Sequence, residues 1–265
     1  MATSSTSATA ASKVADGFQF LEGPVWIPAR QELLFSDIPA SKIYRYKDSQ
    51  FQVFRHPSNQ ANGNTLDPQG RLITCEHETR RVTRTEADGT VMPVATHFEG
   101  KRLNSPNDVV CKSDGSIYFS DPPYAVKAED RELDFQGVFR VVADSVQLLA
   151  RDFIKPNGLA FSPDEKILYC ADTELGHLRA FDVLPDGSIT NCRVFCQVER
   201  PDGFRVDVAG NLYIAALKAV EIFDPTGKKL GEITLPERPA NIAFGDADRK
   251  TLYICARTSL YRARI

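Results

Sequence analysis

The chain has 265 residues, of which 42% are hydrophobic and 25% are charged, proportions that are typical of a soluble globular protein. The formal net charge of −3 gives no electrostatic reason to expect nucleic acid or an acidic membrane surface as a partner. No apolar run approaches the length that spans a bilayer.

The first segment, MATSSTSATAASK, is rich in Ser, Thr and Ala and lacks the apolar core of a secretory signal. We expect a disordered tail over residues 1–13 and one domain over residues 14–265; a short targeting segment is the alternative, although it would lack arginine. A strand is predicted over residues 14–21 (VADGFQFL). The six cysteines include no CxxC motif and are expected as free thiols of a cytoplasmic protein, with Cys192 and Cys196 as the close pair.

Six copies of one hairpin pattern follow. In each copy a polar residue precedes a short apolar run, a turn and a second apolar strand, as in PNGLAFSPDEKILYCAD at 156–172, where Pro-Asn-Gly is predicted to form a turn before the first run. The second strands begin 39, 45, 51, 44 and 40 residues apart, at Leu33, Leu72, Ile117, Leu168, Leu212 and Leu252. This period is typical of a β-propeller with one copy per blade.

A polar residue of one small set stands ten or eleven residues before each of these strands. The six are Glu22, Asn62, Asn107, Asn157, Asp202 and Asn241. A β-sandwich of unrelated hairpins would not repeat such a residue at one offset, so we predict an all-β, six-bladed β-propeller. The last copy ends one strand short, and the strand at 14–21 is therefore expected to complete the last blade and close the ring.

These six side chains should lie at one height around the central channel. The carboxylates of Glu22 and Asp202 would repel each other unless a cation lay between them. Oxygen donors from Asp, Glu and Asn suit hard divalent cations such as calcium, magnesium or manganese. Alternatively the asparagines form turns, an interpretation that applies above all to Asn62 and Asn241. His77 follows a strand that rises from the channel and is either a site residue or a structural histidine.

Several motifs together resemble the gluconolactonase / senescence marker protein / luciferin-regenerating enzyme family. They are EGPVW, ANGNTLDPQGRL, CEHETRRVTR, SPNDVV, DGSIYFSDPPY, KPNGLAFSPDEKILYCADT and PDGFRVDVAGNLYIA. The resemblance covers nearly the whole chain after the tail. It implies a six-bladed propeller that hydrolyses lactones with one divalent cation in the channel, calcium before zinc, manganese or magnesium.

The resemblance also implies roles for single residues. The family's metal ligands fall on Glu22, Asn157 and Asp202, and Asp202 also takes the acid/base role. Asn107 matches a residue that contacts the substrate or the metal.

Contacts to the substrate follow the family pattern less closely. Some members have an arginine two residues before the asparagine of the PND motif, where this chain has Ser105. The nearby Arg102 and Asn104 are therefore candidate substrate contacts, and Tyr124 and His77 are candidates at the rim.

The sequence thus predicts a divalent-metal-dependent lactonase that acts on a small sugar lactone or related lactone, as a monomer or small homo-oligomer. Two alternatives remain open. One is a phosphotriesterase or arylesterase on the same scaffold. The other is a non-catalytic interaction platform, which would have no need of two channel carboxylates and for which the chain lacks the Trp-Asp repeat signature.

Overall fold

The structure, a computed structural model, describes residues 10–265. Its antiparallel strands form six four-stranded sheets arranged as the blades of a β-propeller, which confirms the predicted fold class. In chain order the strands are β1 (Ser12–Ala15), β2 (Leu21–Ile27), β3 (Glu32–Asp37), β4 (Lys42–Lys47), β5 (Gln50–Arg55), β6 (Ala61–Leu66), β7 (Leu72–Glu76), β8 (Arg81–Thr85), β9 (Val91–Ala95), β10 (His97–Phe98), β11 (Lys101–Arg102), β12 (Val109–Cys111), β13 (Ile117–Asp121), β14 (Gln136–Val142), β15 (Ser145–Phe153), β16 (Pro156–Phe161), β17 (Ile167–Asp172), β18 (His177–Val183), β19 (Ile189–Gln197), β20 (Phe204–Val206), β21 (Leu212–Ala215), β22 (Ala219–Phe223), β23 (Lys229–Thr234), β24 (Asn241–Gly245), β25 (Thr251–Ala256) and β26 (Ser259–Arg264).

Five of the six blades use four consecutive strands, the first of which lines the channel. Blades 1 to 5 consist of β2–β5, β6–β9, β12–β15, β16–β19 and β20–β23. Strands β10 and β11 form a separate two-stranded hairpin between blades 2 and 3.

The apolar core lies between the blades. Strands β3, β7, β13 and β25 are buried along their whole length, because each second strand is covered on both faces by neighbouring blades. The buried apolar residues form six clusters, one at each interface between adjacent blades. Outer strands such as β19 are largely exposed.

Carboxylates at the ends of second strands hold the segments that enter the channel wall. Asp37 Oδ1 accepts a hydrogen bond from Phe20 N at 3.0 Å. Asp121 Oδ2 accepts one from Asn104 N at 2.7 Å. These bonds satisfy buried backbone donors and fix where the next inner strand begins.

The N-terminal strand closes the ring as predicted. Strand β1 pairs with β26, with Ser12 opposite Arg262, and completes blade 6 in the order β1–β26–β25–β24. Its bounds differ from the prediction, because β1 ends at Ala15 and the inner strand of blade 1 already begins at Leu21. Ser12 and Lys13, which we had assigned to the tail, belong to β1, whereas residues 1–9 of that predicted tail lie outside the described residues.

Connections and thiols follow the sequence in part. The insertion over 124–137 contains one 3₁₀ turn, Ala128–Asp130. All six cysteines are free thiols, with Cys192 exposed and Cys196 buried.

The Pro-Asn-Gly segment is not a turn, because Pro156–Phe161 forms β16 with an irregular register between Pro156 and Leu159. Over residues 10–265 no helix is long and apolar enough to cross a membrane.

Candidate active site at the channel mouth

The inner strands bring most of the predicted site residues to one cavity of about 310 Å³ at the end of the channel. The predicted residues that line it are Glu22, Asn62, His77, Asn107, Tyr124, Asn157 and Asp202. Five of the six ring positions line the cavity, and the sixth, Asn241, hydrogen-bonds to Glu22 just behind it. The repeat offset in the sequence therefore does correspond to one level of the channel.

Close contact between the inner strands of blades 4, 5 and 6 requires glycine after the ring residue in blades 4 and 5. At Gly158 a Cβ atom would lie 2.4 Å from the backbone oxygen of Asp202, and at Gly203 it would lie 2.1 Å from the side chain of Asn241. Only a residue without Cβ lets neighbouring blades approach this far. Tight packing of the inner strands therefore holds the polar ring together.

Three asparagine amides form a hydrogen-bonded chain across blades 2, 3 and 4. Asn62 Nδ2 donates to Asn107 Oδ1 at 2.7 Å, and Asn107 Nδ2 donates to Asn157 Oδ1 at 2.8 Å. Asn157 Nδ2 then donates to Thr173 Oγ1 at 3.0 Å and to the Tyr124 hydroxyl at 3.2 Å. The amides are thereby oriented, with their positions fixed before any ligand binds.

The turn interpretation of Asn62 and Asn241 is wrong. Both residues lie in inner strands, β6 and β24, and both are almost fully buried. Asn62 Oδ1 has no hydrogen-bond partner among the described residues. A buried oxygen without a partner costs about 1–3 kcal/mol, so this atom fits a contact with a ligand or water.

Glu22 is a buried carboxylate with few compensating donors. It is 4% exposed, and its Oε2 accepts hydrogen bonds from Gly23 N at 2.7 Å and Asn241 Nδ2 at 2.9 Å. Burial raises the pKa of Glu22 well above its ordinary value, and the charges of Asp202 and Asp108 raise it further. The site therefore favours either a proton or a cation beside Glu22.

Asp202 stands before β20 and faces the cavity. Burial raises its pKa to about 7, against the lowering effects of Arg238 and of a hydrogen bond with Asn157. Arg238 Nη2 lies 3.5 Å from Asp202 Oδ2. A carboxyl group with this pKa can hold or release a proton near neutral pH.

A third carboxylate, Asp108, was missed by the sequence analysis. It is 1% exposed, lies 4.0 Å from Arg205 Nη1 and 3.4 Å from Asn241 Nδ2 through Oδ2, and burial raises its pKa. The available signal was that the position after the ring residue is glycine in four copies but aspartate at 108. Asp108 does not line the cavity and acts on Glu22 and Asp202 through its charge.

His77 and Tyr124 line the cavity as uncharged groups, His77 buried and Tyr124 partly exposed. Burial lowers the pKa of His77 to about 4, and its Nε2 lies 3.2 Å from Asn62 Nδ2, an amide donor that requires this nitrogen to be unprotonated. Tyr124 is 43% exposed, and burial of its hydroxyl side raises its pKa to about 12. Both are therefore placed to hydrogen-bond a neutral part of a ligand.

Arg102 and Asn104 do not line this cavity. Arg102 is exposed in β11, where its backbone N donates to Glu132 at 2.8 Å. Asn104 is buried, and its Nδ2 donates to the backbone oxygens of Asp121 and Phe135. Ser105, where some family members have arginine, is fully buried. The structure therefore does not bring the two substrate contacts that we expected near Ser105 to the channel mouth.

Other lining residues come from connections between strands, both within and between blades. Arg200 and Arg238 contribute positive charge, and Thr173 contributes a hydroxyl. Phe20, Ile38 and Pro39 add an apolar wall on the side of blade 1. These connections have no repeat register, so the sequence pattern gave no sign of them.

The residues present fit a divalent cation at this cavity. Glu22 and Asp202 raise the local negative charge, and the neighbouring amides supply further oxygen donors, including the unpartnered Asn62 Oδ1. Within residues 10–265 no group of three or more His, Cys, Asp or Glu side chains is spaced to hold a metal, so amide oxygens or water would have to complete the coordination. A soft-metal site is not supported, because no cysteine lines the cavity.

A family model described as the SMP-30/Gluconolactonase/LRE-like region matches residues 20–258. The chain is 30% identical to the gluconolactonase of Zymomonas mobilis, over 95% of this chain and 80% of that protein. A solved gluconolactonase from Xanthomonas campestris is 35% identical, with a TM-score of 0.89 over 97% of this chain and 91% of its own. A calcium-binding regucalcin from Agrobacterium tumefaciens shares the fold at 18% identity, with a TM-score of 0.82 over 96% and 93% of the two chains. The resemblance seen in the motifs is confirmed, and the chain belongs to the SMP-30/gluconolactonase/LRE-like family.

Proposed function

We propose that the protein is a divalent-cation-dependent lactonase that hydrolyses sugar lactones or related small lactones to hydroxy acids. The observation that carries the proposal is the convergence of Glu22, Asp202 and the Asn107–Asn157 amides on one cavity. Gluconolactonases at 30% and 35% identity support the class of reaction. The cavity volume of about 310 Å³ lies at the small end of the range for ligand pockets and suits a lactone about the size of one sugar ring.

The proposed ligands of the ion are Glu22, Asn157 and Asp202, with Asn107 as a further ligand or a contact to substrate. When bound, a divalent cation would polarise the lactone carbonyl as a Lewis acid. The calcium-binding regucalcin that shares the fold supports calcium as the first candidate. Zinc, manganese and magnesium are the alternatives.

Asp202 is the proposed general base. Its carboxylate takes a proton from the attacking water as the water oxygen bonds to the carbonyl carbon. As the bond from this carbon to the ring oxygen breaks, the same carboxyl group returns the proton to the ring oxygen. The products are one alcohol and one carboxylic acid in the same molecule, which releases a proton to solution at neutral pH.

The remaining cavity residues position the substrate in this proposal. The neutral imidazole of His77 and the Tyr124 hydroxyl can hydrogen-bond ring hydroxyls, since both are uncharged at neutral pH. Arg102 and Asn104 are left out of the proposed site, because they lie away from the cavity. The cytoplasmic location and the monomeric or small oligomeric state remain predictions from the sequence.

Proton release from a panel of aldonolactones and simple lactones tests the proposal, with aryl esters and phosphotriesters in the same panel. We expect hydrolysis of lactones that EDTA abolishes and that calcium, manganese or zinc restores. Full lactonase activity in metal-free protein would contradict the cation dependence. Activity confined to aryl esters or phosphotriesters would favour the other hydrolase on this scaffold.

A further inference from the structure

We infer that Arg200 and Arg238 form an anion-binding subsite and that the preferred substrate is a lactone that carries a second acidic group, a carboxylate or a phosphate. This inference rests on the proposed lactonase function and specifies its substrate class. Both arginines line the cavity, and both come from connections that lead into or out of blade 5.

Arg200 is a cation without a fixed partner. It is exposed, and its guanidinium has no hydrogen-bond or ion-pair partner among residues 10–265, although its charge lowers the pKa of Asp202. Arg238 lies beside it, with its Nη2 donating to the backbone oxygen of Arg200 at 3.3 Å. The hydrogen bond joins the Arg238 side chain to the backbone of Arg200, and both residues line the same cavity.

Arg238 is only partly neutralised. Its side chain is 21% exposed, and the distance of 3.5 Å to Asp202 Oδ2 is too long for a strong hydrogen bond. The planar fork of a guanidinium can bind a carboxylate or phosphate through two parallel hydrogen bonds. Two guanidinium groups that line one cavity can bind an anion more tightly than either group alone.

The charge balance favours an anionic substrate. Two carboxyl groups, Glu22 and Asp202, and two guanidiniums line the cavity, so the ionised groups balance. A divalent cation bound to the two carboxylates would leave the cavity with a net positive charge. An acidic group on the substrate would offset part of that charge, whereas a neutral lactone would not.

The other walls restrict where the acidic group can lie. The side from blade 1 is apolar, with Phe20, Ile38 and Pro39. The position where some family members have arginine is the buried Ser105. Positive charge at this cavity therefore comes from the connections of blade 5, and the acidic group of the substrate should point there while the ring faces the apolar wall.

The test compares a neutral lactone with the same lactone bearing a carboxylate and the same lactone bearing a phosphate ester. In the cation-loaded protein at low ionic strength, we expect kcat/KM for one acidic lactone to exceed that for the neutral lactone at least about tenfold. Arg200→Gln should lower this preference about tenfold through a higher KM for the acidic lactone, because it removes one guanidinium of the subsite. The loss of the Arg200 charge also raises the pKa of Asp202, but this change acts on neutral and acidic lactones alike and cancels in the ratio. Arg238→Gln should lower the preference as well.

Arg257→Gln is the matched control, since Arg257 is an exposed arginine that does not line the cavity. It should keep the preference for the acidic lactone. Calorimetric titration with the product of the preferred lactone gives a second measurement, and Arg200→Gln should weaken that binding.

The outcomes separate the two claims. Equal kcat/KM for the neutral and acidic lactones in the parent protein would overturn the inference and leave the lactonase function standing. The inference would also be overturned if Arg200→Gln did not lower the preference for the acidic lactone. The same holds if Arg200→Gln weakened binding of the neutral and the acidic products equally. If no lactone of either kind is hydrolysed, the proposed function fails and the inference with it.

Discussion

Burial governs the charge state of single residues at the channel mouth. The pKa values of Glu22, Asp108 and Asp202 are all raised, first by removal from water and, for Glu22 and Asp202, also by neighbouring carboxylates. The nearby guanidiniums of Arg205 and Arg238 only partly offset this charge. Without a cation the ionised site therefore opposes folding, and a cation that binds only the folded state stabilises it.

Glu22→Gln in metal-free protein tests whether the ionised carboxylate of Glu22 destabilises the fold. A group whose pKa is raised by folding contributes stability below its unfolded pKa and loses it as pH rises through the folded pKa. The variant should therefore be more stable than the parent protein by at least about 1 kcal/mol at about pH 8 and equally stable at about pH 4. Urea unfolding at both pH values measures the difference in stability. A variant that is less stable than the parent protein at about pH 8 would contradict the account.

Glu76→Gln is a control for which the expected change in stability at about pH 8 has the opposite sign. Burial alone would raise the pKa of Glu76, but hydrogen bonds from Thr79, Arg55 and Arg81 lower it. A lowered folded pKa contributes stability above the unfolded pKa, and this is lost as pH falls. Glu76→Gln should therefore destabilise the protein at about pH 8, typically by about 3 kcal/mol for a broken buried ion pair, and by less at about pH 4.

Sequence patterns found some of these residues and missed others for a physical reason. Glu22, Asn157 and Asp202 were found because one offset in each copy corresponds to one height in the channel. For Asn62 the sequence left a channel position and a turn as alternatives, because Asn-Gly is also turn chemistry and only the neighbouring blade shows where the amide hydrogen-bonds. Arg238 was missed, because the connections between blades repeat neither in length nor in register.

At the scale of single strands, burial on both faces made the second strand of each blade easy to predict. A run such as IYFSD in β13 is buried throughout, so it begins with three apolar residues and becomes polar only at Ser120 and Asp121. Inner strands were harder to predict. Polar ring residues and glycines interrupt their apolar pattern, and Pro156–Phe161 was therefore taken to begin with a turn.

Gly158→Ala tests the close approach of inner strands β16 and β20. A methyl group there would lie 2.4 Å from the backbone oxygen of Asp202, so the two strands must move apart. We expect a loss of roughly 1–3 kcal/mol in stability, the usual cost of overpacking a tight core. We also expect reduced lactone hydrolysis, because Asn157 and Asp202 move with the strands.

Gly115→Ala is the comparison for Gly158→Ala. Gly115 has a φ of +89° in a surface turn where an added methyl group would meet no atom within 4 Å. It should lose stability through backbone strain alone and keep its activity. Unchanged stability and activity in Gly158→Ala would show that the inner strands do not restrict the site.

At the scale of the whole molecule, the ring is held by six similar interfaces and one non-covalent closure. Strand β1 covers the edge of β26, and Val14 packs against the cluster between blades 6 and 1. The sequence predicted this closure from the missing strand of the last copy. The predicted strand began at residue 14, two residues after the start of β1, because the polar Ser12 and Lys13 resemble the segment before them.

Deletion of residues 1–16 removes β1 and should destabilise the propeller strongly. The deletion exposes the edge of β26 and uncovers part of an interface between blades. We expect a loss of at least about 3 kcal/mol, which lowers Tm by roughly 6 °C or more. Deletion of residues 1–9 removes no residue of β1 and is the control, so equal Tm values for the two truncations would rule out closure by β1.

The central claim is that the carboxylate of Asp202 carries out proton transfer in lactone hydrolysis at the channel mouth, and kcat of Asp202→Asn at saturating cation tests it most directly. The substitution keeps the size and one oxygen donor but removes the base. Asp207→Asn makes the same change at the opposite end of the β20–β21 hairpin, where Asp207 Oδ1 accepts a hydrogen bond from Asn211 N at 2.8 Å. We predict a loss of at least about 100-fold in kcat for Asp202→Asn and a change within a few-fold for Asp207→Asn. A kcat for Asp202→Asn equal to that of the parent protein at saturating cation would contradict the account.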